Sequence, residues 1–334
     1  MWRIESRSGL VAVENNKGSV ADVIDATGEL AASVMGLFLK VNPELSQIVQ
    51  QGTKDLVSEL SKLLGDSLDP AVHFLAERMS GDYAIDEFGF DPELTEQIFL
   101  PILRVLYEKW FRVEVRGIEN LPASGACLLV ANHSGTVALD SLMTQVAVHD
   151  AGHRHMRALG ADLVFSTPFF AEIARKSGVT LACQEDAERL LTNGEVVGVW
   201  PEGFKGVGKL YKDRYKLQRF GRGGFVNAAV RAKVPIIPVS IVGAEETYPM
   251  LANLPVLARL LGLPYFPVTP TFPAFGPLGM VPLPSKWIID FGTPIPTVDL
   301  EDEPLQHLDL AEQIRGEIAA TLERLLIERG NPFV

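Results

Sequence analysis

Cysteine is scarce in this 334-residue chain, which contains two cysteines. Cys127 and Cys183 both lie inside apolar runs. Free cysteine is among the most frequently buried residue types, whereas small disulfide-stapled domains carry many cysteines at close spacing. We therefore expect two buried free thiols in a reducing compartment, and the scarcity excludes a disulfide framework.

Long apolar runs are also missing. No uninterrupted apolar stretch reaches the roughly 20 residues that a bilayer-spanning helix needs. The polar first 19 residues lack the apolar segment of a signal peptide, and we expect none. Residues 250–283 contain Arg259 as their only charged residue, but prolines interrupt them at positions 255, 264, 267, 270, 273, 277 and 282. We expect this segment to dip into a bilayer without crossing it.

Positive charge is in deficit, with 30 basic against 42 acidic residues and a net charge of -12. This balance argues against nucleic-acid binding. One basic segment nevertheless stands out between positions 205 and 222, opposed locally only by Asp213; it contains Lys205, Lys209, Lys212, Arg214, Lys216, Arg219 and Arg222. A solvated charged face would explain it, and so would contact with anionic lipid headgroups or a phosphorylated substrate. We favour the second explanation because the segment continues directly from a glycine-rich turn.

The hydrophobic content of 47% is enough for a sizeable core. Residues 56–64 place apolar side chains at spacings of three and four, which indicates a helix with one apolar face. That face needs the main domain, a second copy of the chain or a membrane surface as its partner. We expect a helical extension over residues 1–85, which could form a homodimer, and a second domain over residues 86–334.

Beyond residue 111 the pattern changes to strands alternating with helices. Predicted strands cover residues 112–115, 126–130, 179–183, 196–200, 236–242 and 287–291, and predicted helices include residues 93–109 and 308–329. This alternation predicts an α/β fold with a mixed, largely parallel sheet flanked by helices.

The first motif with chemical content follows the predicted strand 126–130. Asn132 and His133 come directly after it, and six residues separate His133 from Asp140. An imidazole can remove a proton from a hydroxyl, and a carboxylate on its other nitrogen fixes its tautomer. The spacing suits a turn leading into a helix with Asp140 in the first turn. Alternatively, Asp140 is only a helix N-terminal carboxylate and His133 an ordinary loop histidine.

A second motif begins where strand 196–200 runs into a turn with Glu202, Gly203, Lys205 and Lys209. Glycines allow amide N–H groups to converge on an anion, and the lysines add positive charge, so the chemistry is that of phosphate binding. Residues 203–209 also match Gly-x-x-x-x-Gly-Lys, the core of a P-loop. Leu210 stands where the magnesium-binding Ser or Thr belongs. A P-loop-like phosphotransferase therefore stays as an alternative.

Three further histidines, His149, His153 and His155, lie close together in the sequence. No cysteine or carboxylate at a metal-binding spacing accompanies them, so we expect a surface loop and no metal site. The chain contains no Gly-x-Ser-x-Gly motif, which disfavours a serine hydrolase.

Three motifs in order carry a resemblance: Asn-His with a following Asp, then Pro-Glu-Gly at 201–203, then Val-Pro-Ile-Ile-Pro-Val at 234–239. Over about residues 85–295 the chain resembles the glycerophospholipid acyltransferase family, in an actinobacterial branch. That family includes lysophosphatidate and glycerol-3-phosphate acyltransferases. The resemblance implies transfer of a fatty acyl group from a thioester donor to a glycerol hydroxyl without a covalent enzyme intermediate.

The resemblance also implies residue roles. His133 is then the base and Asp140 orients it, while the substrate-binding set is Asn132, Glu202, Gly203, Lys205, Lys209, Arg214 and Lys216. The partners implied are acyl-CoA or acyl carrier protein as donor substrate, a glycerol phosphate or lysolipid acceptor, and the anionic inner face of the plasma membrane, on the cytoplasmic side. No other cofactor and no metal are expected. A non-catalytic protein that binds anionic lipid is a further alternative.

The sequence departs from the family pattern at two places. The family usually has four residues between His and Asp, whereas this chain has six. Many members also have an arginine for the acceptor phosphate in the region of residues 179–184, which here reads Val-Thr-Leu-Ala-Cys-Gln. Phosphate recognition then falls to the basic segment, or the acceptor is not a simple phosphomonoester.

Overall fold

The computed structural model describes residues 84–166 and 168–333. The predicted helical extension, and any dimer contact through it, lies outside the described residues except for positions 84 and 85. The described chain forms a seven-stranded sheet with the order β1-β9-β6-β2-β5-β3-β4. Its strands are β1 Glu114–Arg116, β2 Cys127–Ala131, β3 Met156–Gly160, β4 Val179–Leu181, β5 Val196–Val199, β6 Ile236–Val242 and β9 Ile288–Phe291.

Five neighbouring strands run parallel, and the antiparallel pairing of β6 with β9 reverses the edge pair β1 and β9. Strand β2 lies at the centre between β5 and β6, and all five of its residues are buried. A near-continuous apolar run is what a central parallel strand with helices on both faces requires. The predicted fold class, an α/β fold with a mixed and largely parallel sheet, is confirmed.

Helices cover both faces of the sheet. The longer ones are α2 Leu139–Asp150, α4 Pro168–Lys176, α5 Gln184–Thr192, α7 Gly224–Ala232 and α9 Pro304–Arg329; shorter ones are α3 Asp162–Phe165, α6 Phe204–Val207 and α8 Pro255–Leu260. Helix α1 alternates between α and π geometry in the segments Pro92–Leu94, Thr95–Phe99, Leu100–Arg104 and Val105–Trp110. It begins at Asp91, whose carboxylate accepts a hydrogen bond from the Leu94 N–H at 2.9 Å.

The alternation of side chains along β2 divides the core in two. Leu129 packs with Met143 and Ala147 of α2 and with Trp287. Leu128, one position earlier, packs on the opposite face with side chains of α5, α7 and α9. Because successive residues of a strand point to opposite faces, one short apolar strand anchors helices on both sides.

Two local predictions were wrong. Strand β3 was not predicted because Arg157 lies within it; the guanidinium is buried and bonds to the Asp86 carboxylate at 2.5 Å. Cys183 is only partly buried, since β4 ends at Leu181 and the chain turns outward. Cys127 is fully buried as expected, and burial raises the pKa of its thiol to about 12.

Residues 250–283 contain α8 and the two-stranded pair β7 Ala252–Asn253 and β8 Pro267–Val268. Within the described residues no helix is long and apolar enough to span a membrane. The segment exposes an unusual number of large apolar side chains, which we call the apolar surface: Leu251, Leu254, Val256, Leu260, Leu261, Leu263, Leu278 and Met280.

Candidate active site

The carboxyl end of β2 fixes the start of the site. Asn132 follows the strand, is buried, and binds β6 twice: its amide nitrogen donates to the Ile241 carbonyl at 3.0 Å and its oxygen accepts from the Ile241 N–H at 2.7 Å. The side chain therefore acts as a brace between two strands. The prediction that Asn132 binds substrate is corrected, because its amide is already engaged with the backbone.

His133 and Asp140 form the hydrogen-bonded pair that the motif predicted. Nδ1 of His133 lies 2.8 Å from Oδ2 of Asp140, whose side chain is fully buried. The same oxygen accepts the Ser134 N–H at 2.9 Å, and the other accepts the Ser141 N–H at 2.9 Å. A buried carboxylate with these partners holds one imidazole orientation and one tautomer.

The turn between the two residues explains how a six-residue spacing still closes the pair. Gly135 and Thr136 both adopt left-handed backbone conformations, with φ of 93° and 65°. A Cβ on Gly135 would lie 2.6 Å from the Ala244 carbonyl oxygen, so this position requires glycine. The tight turn delivers Asp140 to the first turn of α2, as predicted.

The remaining nitrogen of His133 faces away from the pair. Within the part of the chain that the structure describes, Nε2 has no hydrogen-bond partner, and 12% of the side chain is exposed. Because Nδ1 donates to the carboxylate, Nε2 carries the free lone pair. The geometry is that of a general base with an accessible acceptor atom.

Glu202 lies under the histidine rather than in solvent. Its Oε1 accepts the His133 N–H at 2.8 Å, its Oε2 accepts the Gln218 N–H at 2.6 Å, and the side chain is fully buried. The predicted contact of Glu202 with the acceptor is corrected to a positioning role. The carboxylate connects the turn after β5 to the backbone of residues 132–138, the loop between β2 and α2, which we call the catalytic loop because it carries the candidate base.

Lys209 is also buried, contrary to its predicted place in a phosphate site. Its ammonium lies 2.9 Å from Oε1 of Glu245 and 3.7 Å from Oε2 of Glu202. Burial raises the pKa of Glu245, and the charge of Lys209 opposes that shift. Lys209 serves to neutralise two buried carboxylates, so it is not available to a phosphate group.

The short helix α6 lies against the catalytic loop. A Cβ added to Gly206 would be 2.7 Å from the His133 carbonyl oxygen and 2.9 Å from the His133 Cβ. Gly203 precedes the helix with a φ of 55°. Lys205, next to Gly206, is exposed. The glycine-rich turn thus packs closely on His133, and a P-loop is disfavoured because Lys209 is sequestered.

The other members of the basic segment are exposed. Arg214 stacks over the Tyr211 ring, 4.6 Å from its centre, and Lys216 pairs with Asp213 at 2.9 Å. Within the described residues no ion pair is formed by Lys205, Lys212, Arg219 or Arg222. These four charges are available to an anionic ligand or surface.

The segment 250–283 reaches the catalytic loop through Thr136. The Tyr265 hydroxyl donates to the Thr136 carbonyl, and the Thr136 hydroxyl donates to the Tyr248 carbonyl at 2.8 Å. Burial raises the pKa of Tyr265 to about 12, with the charge of Asp140 contributing. These hydrogen bonds therefore connect the segment that carries the apolar surface to the turn after His133.

Two buried polar atoms beside His133 lack partners within the described residues: Oγ of Ser134 and Nε1 of Trp200. The Trp200 ring centre is 6.0 Å from that of His133. Unpartnered buried donors are rare and concentrate at functional sites. No feature of the sequence singled out either residue.

The three clustered histidines do not share a surface loop. His149 lies in the last turn of helix α2, His155 directly precedes β3, and both are partly buried, while His153 is exposed. Glu96 of helix α1 lies beside His149 and His155, and the ligand atoms of these three side chains all lie within 4.8 Å of one another. The carboxylate was missed because it is 53 positions from His149 in the sequence.

The fold and the site together define an α/β protein with a hydrogen-bonded histidine–aspartate pair at the carboxyl end of its central strand. The family model described as "Acyltransferase" matches residues 112–242, a range that includes His133, Asp140 and Glu202. An uncharacterized protein of Mycobacterium tuberculosis is 56% identical over 266 residues, covering 78% of this chain and 74% of that protein. The chain therefore belongs to the acyltransferase family, and the predicted resemblance to the glycerophospholipid acyltransferases is confirmed.

More distant similarities extend the comparison. A Bos taurus protein named "DGAT1/2-independent enzyme synthesizing storage lipids" is 24% identical over 217 residues, covering 64% of this chain and 60% of that protein. The crystal structure of the 1-acyl-sn-glycerophosphate acyltransferase from Thermotoga maritima matches with a TM-score of 0.43 at 20% identity, covering 67% of this chain and 80% of that one.

Proposed function

We propose that the protein transfers a fatty acyl group from acyl-CoA or acyl carrier protein to a hydroxyl of a glycerol phosphate or lysophospholipid, with His133 as general base. The observation that carries the proposal is the 2.8 Å contact between Nδ1 of His133 and Oδ2 of a fully buried Asp140, which leaves Nε2 free.

The reaction follows from this geometry. The acceptor hydroxyl donates to Nε2, which takes the proton as the oxygen attacks the thioester carbonyl. The carbon–sulfur bond then breaks, and the imidazolium returns its proton to the departing thiolate. Asp140 stabilises the imidazolium without becoming protonated. General-base assistance of this kind contributes about 10²- to 10⁴-fold in rate.

Recognition of a phosphorylated acceptor falls to Lys205 in this proposal. Its neighbour Gly206 packs against His133, so Lys205 is an exposed cation one residue away from a position in contact with the proposed base. Arg214 and Lys216 already carry local contacts with Tyr211 and Asp213, and we assign them to a headgroup or lipid surface rather than to the reacting hydroxyl.

An uncharged acylglycerol is the second acceptor class. Lys209 is buried in ion pairs, and residues 179–184 contain no arginine. The printed name of the bovine relative, an enzyme synthesizing storage lipids, supports testing this class beside the phosphorylated acceptors.

We also propose peripheral attachment to the anionic cytoplasmic leaflet of the plasma membrane. The apolar surface presents Val256 and Leu260 with exposed fractions of 73% and 79%, and the basic segment supplies unpaired cations. Buried apolar area and electrostatic attraction act together in such binding. The hydrogen bond from Tyr265 to Thr136 connects the segment that carries the apolar surface to the turn after His133, which supports entry of acyl chains from the membrane on this side.

Purified protein incubated with labelled acyl-CoA or acyl carrier protein tests the reaction. The acceptor panel contains glycerol 3-phosphate, lysophospholipids, monoacylglycerol and diacylglycerol, and mass spectrometry identifies the product. We expect an ester product with wild-type protein and none with His133→Ala. Lipid binding by a folded protein with no ester product from any acceptor would favour the non-catalytic alternative.

Liposome sedimentation tests the membrane surface. Val256→Asp combined with Leu260→Asp should reduce binding to anionic vesicles. Ile327→Asp, on α9, is a matched control because Ile327 is equally apolar and 83% exposed outside this segment. Equal loss of binding in the control, or no loss in the double variant, would contradict the proposed surface.

A further inference from the structure

A polar cluster lies at the opposite end of helix α2 from Asp140, and the acyl-transfer mechanism does not use it. Its members are Glu96 from α1, His149 from the last turn of α2, and His155 immediately before β3. Three elements that are distant in the sequence each contribute one ligand-type side chain to it.

The atoms that could bind a cation face one another. Nε2 of His155 lies 3.1 Å from Oε1 of Glu96, and Nε2 of His149 lies 4.0 Å from the same oxygen. The two imidazole centres are 5.1 Å apart. Ligand atoms around a tetrahedral zinc ion are about 3.4 Å apart, so the cluster needs only small side-chain rotations to reach that spacing.

A second layer of contacts orients His149. Its Nδ1 lies 2.8 Å from Oδ1 of Asp150, which leaves Nε2 turned toward Glu96. Arg104 in turn holds Asp150 with two hydrogen bonds of 2.6 and 2.8 Å. A carboxylate behind the imidazole is the usual support of a metal-binding histidine. Arg104 also approaches Nδ1 of His149 at 3.3 Å, and its charge is balanced by Asp150.

Space beside the cluster fits an additional ligand. A cavity of about 20 Å³ borders the two histidines; His149, His155, Thr95, Gln145 and Ser177 form its polar wall, and apolar side chains form the rest. That volume holds one water molecule. All three ligand side chains retain some exposure, at 23% for His149, 27% for His155 and 50% for Glu96, so an ion could enter from solvent.

We propose that Glu96, His149 and His155 bind one divalent transition-metal ion, with zinc as the best match. Two imidazoles and one carboxylate form a borderline ligand set that suits zinc and disfavours magnesium and calcium, which prefer oxygen. Water from the adjacent cavity completes four-coordination. The ion ties α1 to the C-terminal end of α2 and the start of β3, so its role is structural.

Metal binding by the untagged full-length protein tests the site directly. Isothermal titration with zinc should give one site, and zinc at about 100 times its dissociation constant should raise the unfolding temperature by at least about 5 °C. Cobalt should give the intense visible absorption of a tetrahedral site. Glu96→Gln, His149→Ala and His155→Ala should each weaken binding by at least about tenfold.

Two matched controls locate the ion. His153→Ala removes an exposed histidine between the proposed ligands, and His133→Ala removes the catalytic one; both should bind zinc as the wild type does. Glu96→Gln, a nearly isosteric change at a half-exposed side chain, keeps the test valid if a histidine variant fails to fold. Absence of zinc binding, zinc binding of unchanged affinity in Glu96→Gln, or loss of zinc binding in His133→Ala would each overturn the proposal.

Discussion

The two ends of helix α2 differ in how they assemble a histidine with acidic partners. At the N-terminal end, His133 and Asp140 are seven positions apart and one turn brings them together. At the C-terminal end, His149 and His155 meet Glu96 from another helix, and Arg104 supports the arrangement. In the first pair Asp140 is fully buried and His133 is 12% exposed, whereas the side chains of the second cluster are 23% to 50% exposed.

This difference fits the two proposed roles, a reactive site at the N-terminal end of α2 and a metal-bound cross-link at its C-terminal end. Asp140 has no exposure and serves one histidine, so its charge acts on a single imidazole in a low-dielectric surrounding. At the other end, Asp150 contacts His149 and Glu96 contacts His155, while Arg104 neutralises Asp150. Each carboxylate therefore has more than one charged or imidazole neighbour. We therefore expect substitutions at the N-terminal end to affect turnover and those at the C-terminal end to affect stability.

The largest effect should come from His133→Ala. Removing the base should lower kcat by about 10³-fold or more while the protein stays folded. Steady-state acyl transfer measures the rate, and circular dichroism monitors folding. His153→Ala, an exposed histidine outside both sites, is the matched control and should keep wild-type kcat. Turnover within tenfold of wild type in His133→Ala would assign the base elsewhere.

Asp140→Asn should have the next largest effect. An amide has one acceptor oxygen, so it cannot replace both Oδ2, which accepts from Nδ1 of His133 and the Ser134 N–H, and Oδ1, which accepts the Ser141 N–H. Its NH2 group then faces either the Ser141 N–H or Nδ1 of His133, and tautomer control is weakened. We expect kcat to fall by about 10²-fold or more, with little change in KM, because the carboxylate acts through the imidazole. An unchanged kcat would show that the pair is structural.

Gly206→Ala sharpens the comparison without replacing a residue of the His133–Asp140 pair. The new Cβ would meet the His133 carbonyl oxygen at 2.7 Å and displace the catalytic loop. We expect kcat to fall by about tenfold, since small displacements of a base are costly. Gly224→Ala is the control, because a Cβ at that position meets nothing within 4 Å. Equal rates in the two variants would mean that the loop position does not limit turnover.

Arg104→Gln probes the other end of α2 and should have the smallest effect. The pair with Asp150 is about one-third exposed on each side chain, which limits its contribution to about 1 kcal/mol or less. Urea denaturation should show that loss, and kcat should remain within twofold of wild type. A large fall in kcat at unchanged stability would show that the C-terminal end of α2 affects turnover, which contradicts the assignment of turnover to the N-terminal end alone.

The sequence was informative where chemistry and structure are local. The apolar run of β2, the polar residues after it and the helix that begins at Leu139 could be predicted because each depends on neighbouring residues. Strand β3 escaped prediction because the burial of Arg157 depends on Asp86, 71 positions away. The hydrophobic pattern of a sequence does not show which distant carboxylate will pair with a buried guanidinium.

The site residues show the same limit. Lys209, Glu202 and Asn132 are polar residues beside a catalytic motif, and sequence reasoning assigned all three to substrate. In the structure they are buried, satisfying Glu245, the backbone of His133 and strand β6 respectively. Whether a polar side chain faces the ligand or braces the loop is decided by tertiary packing.

The tautomer of His133 tests the central claim most directly, and nitrogen-15 NMR of the imidazole measures it. For the neutral imidazole the account predicts a proton on Nδ1 and an unprotonated Nε2 in the wild-type protein, with this preference weakened in Asp140→Asn. A neutral His133 with its proton on Nε2 would contradict the account, because the atom facing the acceptor hydroxyl could then not remove its proton.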